Sequence, residues 1–270
     1  MNADPFGTAE VRDRVLAGWA AAPVRFREDA NAEEELVLGG YRDRVVIELA
    51  QNAADAATRA GAPGRLLLSL RAEPPVLLAA NTGAPLDPAG LESLCTLRAS
   101  AKRDGVAVGR FGVGFAAVLS VTDTPALLTR DGGVAFSAAA TRALVGRVAG
   151  SSPGLGAELD RRGGHVPALR LPFPVPGSAD PAVGRTDAAT GCTDPAALAT
   201  ARDLIAEGFD TVVVLPLRDQ AAVAEVALRL DEVGDPLLLA LPGLAEIRVE
   251  APGREPRAVR DAGSISSTRW

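Results

Sequence analysis

Two cysteines, one histidine and an aromatic share of 4% mark what this 270-residue chain has little of. Cys95 and Cys192 stand far apart, so neither a disulfide framework nor a cysteine-rich zinc site can be built from them, and such usage suits a reducing cytosol. His165 stands alone in Gly163-Gly164-His165-Val166-Pro167. That removes serine–histidine and cysteine–histidine nucleophile pairs everywhere else, argues against a histidine metal site, and leaves His165 a structural or solvent-exposed role. Apolar runs stop at about eight residues, well short of the roughly 18 that span a bilayer. The opening Met1–Glu10 is polar and acidic, without the pattern of a secretory signal. We therefore expect no membrane and a cytoplasmic location. Basic residues are outnumbered 28 to 34, for a formal net charge of −6. No broad basic field exists to hold nucleic acid or an anionic membrane, so a polyanion needs a local site.

Scarcity also marks individual residues. Lys102 is the single lysine among the 28 basic residues, and asparagine occurs only at Asn2, Asn31, Asn52 and Asn81. With 47% of its residues hydrophobic, the chain can still bury a real core. Helical spacing of Val11, Val15, Leu16 and Trp19 predicts a helix over Thr8–Ala22, and Glu28 to Glu35 is helix-friendly. A second helix is predicted over Tyr41–Ala60, ended by Gly61-Ala-Pro-Gly64. Arg65–Arg71 and Val76–Ala80 read as a hairpin, and Leu86–Arg98 as a helix with Asp87 as cap and Pro88 at its first position. Strands are expected around the Asp131-Gly132-Gly133 turn and at Thr211–Leu217 and Ala245–Glu250, with helices at Asp194–Glu207 and Gln220–Asp231. Between about 150 and 191 the density of Gly, Pro, Ser and Asp predicts a long, partly mobile insert with one strand candidate at Pro167–Phe173.

Four constellations carry chemistry. Glu48, Asn52 and Asp55 fall at i, i+4 and i+7, on one face of a helix whose neighbours are apolar. Buried polar groups need partners, so this face is either a solvated stripe or a site. Asn81-Thr82-Gly83 follows a strand and turns sharply. Gly109-x-x-Gly112-x-Gly114 enters a helix at Phe115, where bare N–H groups can seat a phosphate; it matches neither a Walker loop nor a dinucleotide fingerprint. Ser100 and Lys102, a hydroxyl and an ammonium, stand just upstream.

In this order the pieces resemble the GHKL ATPase superfamily with its Bergerat nucleotide fold. YRDRVVIELAQNAADAA resembles the N-box, ANTGAPLD the first glycine box, and GRFGVGFAAVLSVTD the second; GFDTVVVLPLR is similar to the late strand whose threonine reaches the adenine region. LCTLRASAKRDGVAVGRFGVGF is closest to the heat-shock protein 90 branch, sacsin-type domains within it. The resemblance implies an α/β (α+β) two-layer sandwich, a mixed and mostly antiparallel sheet with helices on one face. It divides the chain into a helical extension over residues 1–40, an ATP-binding domain over 41–250 holding the insert, and a tail or linker over 251–270.

It also implies roles. Glu48 becomes the general base for the attacking water, Asn52 the side-chain oxygen ligand of Mg²⁺, and Asp55 a support for the nucleotide pocket. Asn81 and Gly83 form the adenine-side turn, and Gly109, Phe111, Gly112, Val113, Gly114 and Phe115 close on the phosphates. Ser100 and Lys102 belong to a lid, and Thr211 completes the adenine pocket. ATP and Mg²⁺ are the implied cofactors. One departure stands out: the superfamily's aspartate is Asn81 here, as in sacsin-like members, and Pro85 replaces a glycine. The expected function is a Mg-dependent, slowly hydrolysing ATP module of a chaperone-like or conformational-switch protein, with a basic residue supplied by a further domain or partner. The alternatives are a nucleotide sensor without turnover and, behind it, a GHKL protein kinase.

Overall fold

Two mostly apolar runs, Leu66–Leu70 and Val76–Ala80, broken by the exposed Arg71–Pro74, make the first hairpin, β1 (Gly64–Ala72) against β2 (Pro75–Asn81), in the register Leu66 to Asn81 through Ala72 to Pro75. The computed structural model describes residues 4–38, 42–96, 114–175 and 194–261. Around that hairpin the sheet is completed by β3 (Ala126–Thr129), β4 (Gly132–Ala135), β5 (Phe173–Val175), β6 (Thr211–Pro216), β7 (Leu244–Glu250) and β8 (Arg257–Arg260). Among the described residues the strand order is β5-β4-β3-β6-β2-β1-β7-β8, and β1 with β7 is the one parallel pair. The mixed, mostly antiparallel α+β sandwich is the architecture that the resemblance implies, except that helices cover both faces of the sheet and not one.

Helix boundaries follow cap chemistry. α3 (Val45–Ala60) begins after a short 3₁₀ turn at Arg42–Arg44, later than the predicted Tyr41, and ends at Gly61, whose φ of 68° allows its N–H to reach back to Ala57 and Thr58. α4 (Pro88–Thr96) opens as read, with Asp87 Oδ1 accepting from Gly90 N at 2.6 Å. Ser137, Asp194 and Asp219 cap α5 (Ala138–Ala149), α7 (Pro195–Ala206) and α8 (Gln220–Asp231) in the same way.

Strand alternation gives the sheet two apolar faces. On one, Leu66, Leu68, Leu77, Ala79, Val213 and Leu215 pack with α3, α4 and α8 into the core that carries the site. The opposite face is covered too: Leu67, Leu78, Ala80, Val212 and Val214 pack with Ala197, Ala201 and Leu204 of α7, with Val145 of α5 and with Leu155 of α6 (Pro153–Arg161). Three further findings extend the sequence reading. α1 (Thr8–Ala21) and α2 (Pro23–Leu38) are built into the domain, with Trp19 and Phe26 fully buried edge to face at 5.2 Å. Much of the expected loop-like insert is ordered: it holds α6, a 3₁₀ turn at Ala168–Arg170 and β5, while residues 176–193 lie outside the described ones. β8, within the predicted tail, pairs with β7. Among the described residues no helix is long and apolar enough to cross a membrane.

Candidate functional site

A cleft opens between the sheet, α3 and α4. Its floor is Asn81 at the end of β2, Leu127 of β3, and Thr211 and Val213 of β6. One wall is the α3 face of Asn52, Ala56 and Arg59; the other is Gly90 and Leu94 of α4 with the Pro85–Asp87 approach, and Phe115 closes one side. Three segments far apart in sequence thus meet because β2 and β6 are sheet neighbours, with Asn81 directly opposite Thr211. Asn81, Thr211 and Thr129, which pairs with Thr211 from β3, are all buried polar residues, so a short polar row crosses an otherwise apolar floor. Asn81 Nδ2 donates to Thr82 O at 3.4 Å, a long bond that a better acceptor would displace. The slot is narrow: water-sized molecules find about 40 Å³ of room, space for about three waters.

The turn after Asn81 is pinned on several sides. Gly83 N donates to Asp210 Oδ2 at 2.9 Å, Asp210 N returns a bond to Asn81 O at 2.9 Å, and Ala84 N donates to Ala56 O at 2.9 Å. Thr82 N donates to Arg65 O, and Arg65 N to Thr82 Oγ1. Gly83 has φ 139°, and a Cβ there would lie 2.6 Å from the Ala56 carbonyl carbon. Glycine is needed for both reasons. Asp210 was not among the residues singled out from the sequence; its signal is an acid immediately ahead of a buried strand.

Glu48 sits one turn before Asn52, its side chain 12% exposed, with Oε1 3.9 Å from Arg44 Nε. It packs directly against Gly114, where any Cβ would collide with its carboxylate. Glu48 and the last glycine of the second glycine box are therefore neighbours, and neither lines the cleft. Asp55 is half-buried and not among the lining residues; Ala56 and Arg59 take that place. Burial pushes the Asp55 carboxyl above the ordinary aspartate value, and Arg59 opposes the shift. Ser100, Lys102, Gly109, Phe111, Gly112 and Val113 lie outside the described residues. His165 is exposed as expected and pairs with Glu34 at 3.3 Å.

Charges on the described lining are one arginine, Arg59, and one aspartate, Asp87. Among the described residues no group of three His, Cys, Asp or Glu could hold a metal ion. Asn52 offers the cleft a single carboxamide oxygen. That donor set fits a hard cation such as Mg²⁺, which takes few protein ligands and keeps most of its octahedron for phosphate and water oxygens. Compared with protein-family models and with curated proteins, the chain finds no match.

Proposed function

We propose that the chain is a Mg-dependent ATP-binding module of the GHKL type, turning ATP over slowly, within a chaperone-like or conformational-switch protein. The observation that supports it best is the convergence on one cleft of Asn52, Asn81, Phe115 and Thr211, one from each of the four motifs that carry the resemblance. In this reading the base enters the slot edge-on against the polar row of Asn81 and Thr211, with apolar contact from Leu94, Leu127 and Val213. Asn52 would hold Mg²⁺ through its carboxamide oxygen, and the ion would offset phosphate charge. Glu48, one helical turn away and packed against Gly114, would orient a water and take its proton. Further domains supplying a basic residue, and a cytoplasmic setting, belong to the same reading.

Binding without turnover is the second reading. The contact between Arg44 and Glu48 favours it, because a carboxylate engaged by a guanidinium is less free to orient a water. Calorimetry with ATP and Mg²⁺ on the chain and on Asn52→Ala, with phosphate release measured on the same samples and on Glu48→Ala, tests both. We expect binding by the parent, loss of it in Asn52→Ala, and binding without release in Glu48→Ala. No binding by the parent refutes the proposal, and binding by the parent with phosphate release equal to that of Glu48→Ala and of buffer alone selects the second reading.

A further inference from the structure

Behind α4, on the side away from the cleft, a chain of buried polar contacts joins elements that are remote in sequence. Glu33 of α2 is 3% exposed, and its two oxygens accept separately from Ala168 N at 2.7 Å and Leu169 N at 3.0 Å. It thereby holds the 3₁₀ turn Ala168–Arg170. The next residue of that turn, Arg170, is 5% exposed and reaches in two directions. Its Nη1 donates to Cys95 O at 2.6 Å, in the last turn of α4, and its Nη2 pairs with Asp29 Oδ1 at 2.9 Å. Asp29 in turn accepts from Trp19 Nε1 of α1 at 2.8 Å. The neighbour of Cys95 on α4, Leu94, lines the cleft. A slot of about 40 Å³ is far below the roughly 300–1,000 Å³ of a usual ligand pocket, so the give of its α4 wall bears on how a flat ring enters.

We propose that Arg170 is a positioning residue for the cleft: held by Glu33 and Asp29, it ties the end of α4 to the N-terminal helices and sets how readily the α4 wall gives way to a ligand. The inference rests on the nucleotide reading for the ligand, not for the tether itself. Desolvation pushes the Glu33 carboxyl up to about 7, against the pull of its two N–H donors and of Arg170. Burial favours the protonated form, and release of the turn would return Glu33 to water, where it ionises at its ordinary value, so the tether loosens as pH rises through neutrality. The charged groups facing Glu33 are Arg170 from the turn and Asp29 on its own helix. α6, packed on α2, commits Glu158 to Arg27 and Arg161. Arg162, which follows α6, pairs with Glu34, as does His165. The segment Phe115–Ser120 has no titratable side chain, α1 brings the bonded indole of Trp19, and α4 brings the Cys95 thiol, raised to about 12 by burial.

The test is hydrogen exchange on the full chain, corrected for intrinsic rates, beside the association rate of ATP with Mg²⁺. Arg170→Met should speed exchange at Leu94–Thr96 about tenfold, the effect of losing a charge-assisted bond, while β6 keeps its protection, and should speed ATP association. Arg170→Lys, able to keep one of the two bonds, should fall between. In the parent, exchange at Leu94–Thr96 should quicken from pH 6 to pH 8, and Glu33→Gln, whose amide NH₂ meets one of the two N–H donors, should be fast at both. Unchanged exchange at Leu94–Thr96 in Arg170→Met, or loosening spread equally over β6, overturns the tether. If Arg170→Met does not fold, Arg170→Lys and Glu33→Gln decide by the same criteria. Failure of the parent to bind ATP would count against the proposed function alone, since the exchange measurements stand without it.

Discussion

Replacing Gly83 by alanine should be among the more damaging single-methyl additions this protein can receive. At φ 139° the backbone lies where side chains are strained, at a cost of about 1–3 kcal/mol. The new Cβ would also meet the Ala56 carbonyl carbon at 2.6 Å and the Ala57 nitrogen at 2.7 Å. Those atoms are backbone near the C-terminal end of α3 and cannot swing aside as the tip of a side chain could, so overpacking adds about 1–3 kcal/mol. The sum, about 2–6 kcal/mol, is a large part of the 5–15 kcal/mol typical of a domain. Gly61→Ala is the control. Its φ is 68°, yet nothing lies within 4 Å of the added atom, so the conformational cost of about 1–2 kcal/mol stands alone. Urea unfolding of the three chains, read by far-ultraviolet dichroism, compares them at constant slope. A midpoint for Gly83→Ala equal to or above that of Gly61→Ala would show that the turn can move away from α3, and the picture of a cleft pinned by Gly83, Asp210 and Ala56 would fail.

Three other outcomes follow from the same structure. Glu33, raised from 4.5 to about 7, makes a contribution to stability that is fully present below about pH 4.5 and lost as pH climbs through 7, worth about 3 kcal/mol across the window; Glu33→Gln should flatten the difference between urea stabilities at pH 5 and pH 8, and an unaltered slope would refute it. With Cys192 changed to Ser, the Cys95 thiol, buried and shifted to about 12, should react with a thiol reagent at pH 8 only as fast as the protein opens, whereas immediate labelling would contradict its burial. Asn81→Asp should sharpen the preference for ATP over GTP about tenfold in competition titrations, since aspartate accepts but cannot donate to a guanine oxygen; an unchanged ratio would remove Asn81 from base selection.

Much of the site could be read because its signals are local. Asp87 with Pro88 announces the start of α4, Gly61 the end of α3, and the i, i+4 relation between Glu48 and Asn52 is a property of any helix. What brings Asn52 to Thr211 is strand order, and strand order depends on pairings between distant segments that no local pattern encodes. Asp55 shows the limit of the helix argument: one face of α3 is broad enough that Glu48 turns to Gly114, Asn52 to the cleft and Asp55 away from the lining, with Ala56 and Arg59 taking the cleft position. Asp210, Glu33 and Arg170 escaped notice because each bonds to backbone groups, which carry no sequence signature. The stretch after residue 150 was read as loop on composition, but Pro153 starts α6 at a position where proline is favoured, and β5 is too short for alternation to reveal.

The single parallel pairing also constrains how the chain reaches this fold. β1 and β2 are made early and close on each other, yet each keeps one flank for a strand that arrives much later: β6 beside β2, and β7 beside β1. Closing those pairings joins residues about half of the chain apart for β2 and β6 and about two thirds apart for β1 and β7, the kind of contact that slows folding most. During synthesis the hairpin must therefore wait with both edges open and its apolar faces uncovered, the arrangement most exposed to pairing with another chain. A chain released before Leu244 would have a β1 edge with nothing to complete it, and ribosome-stalled lengths ending before and after β7 should differ sharply in protease resistance.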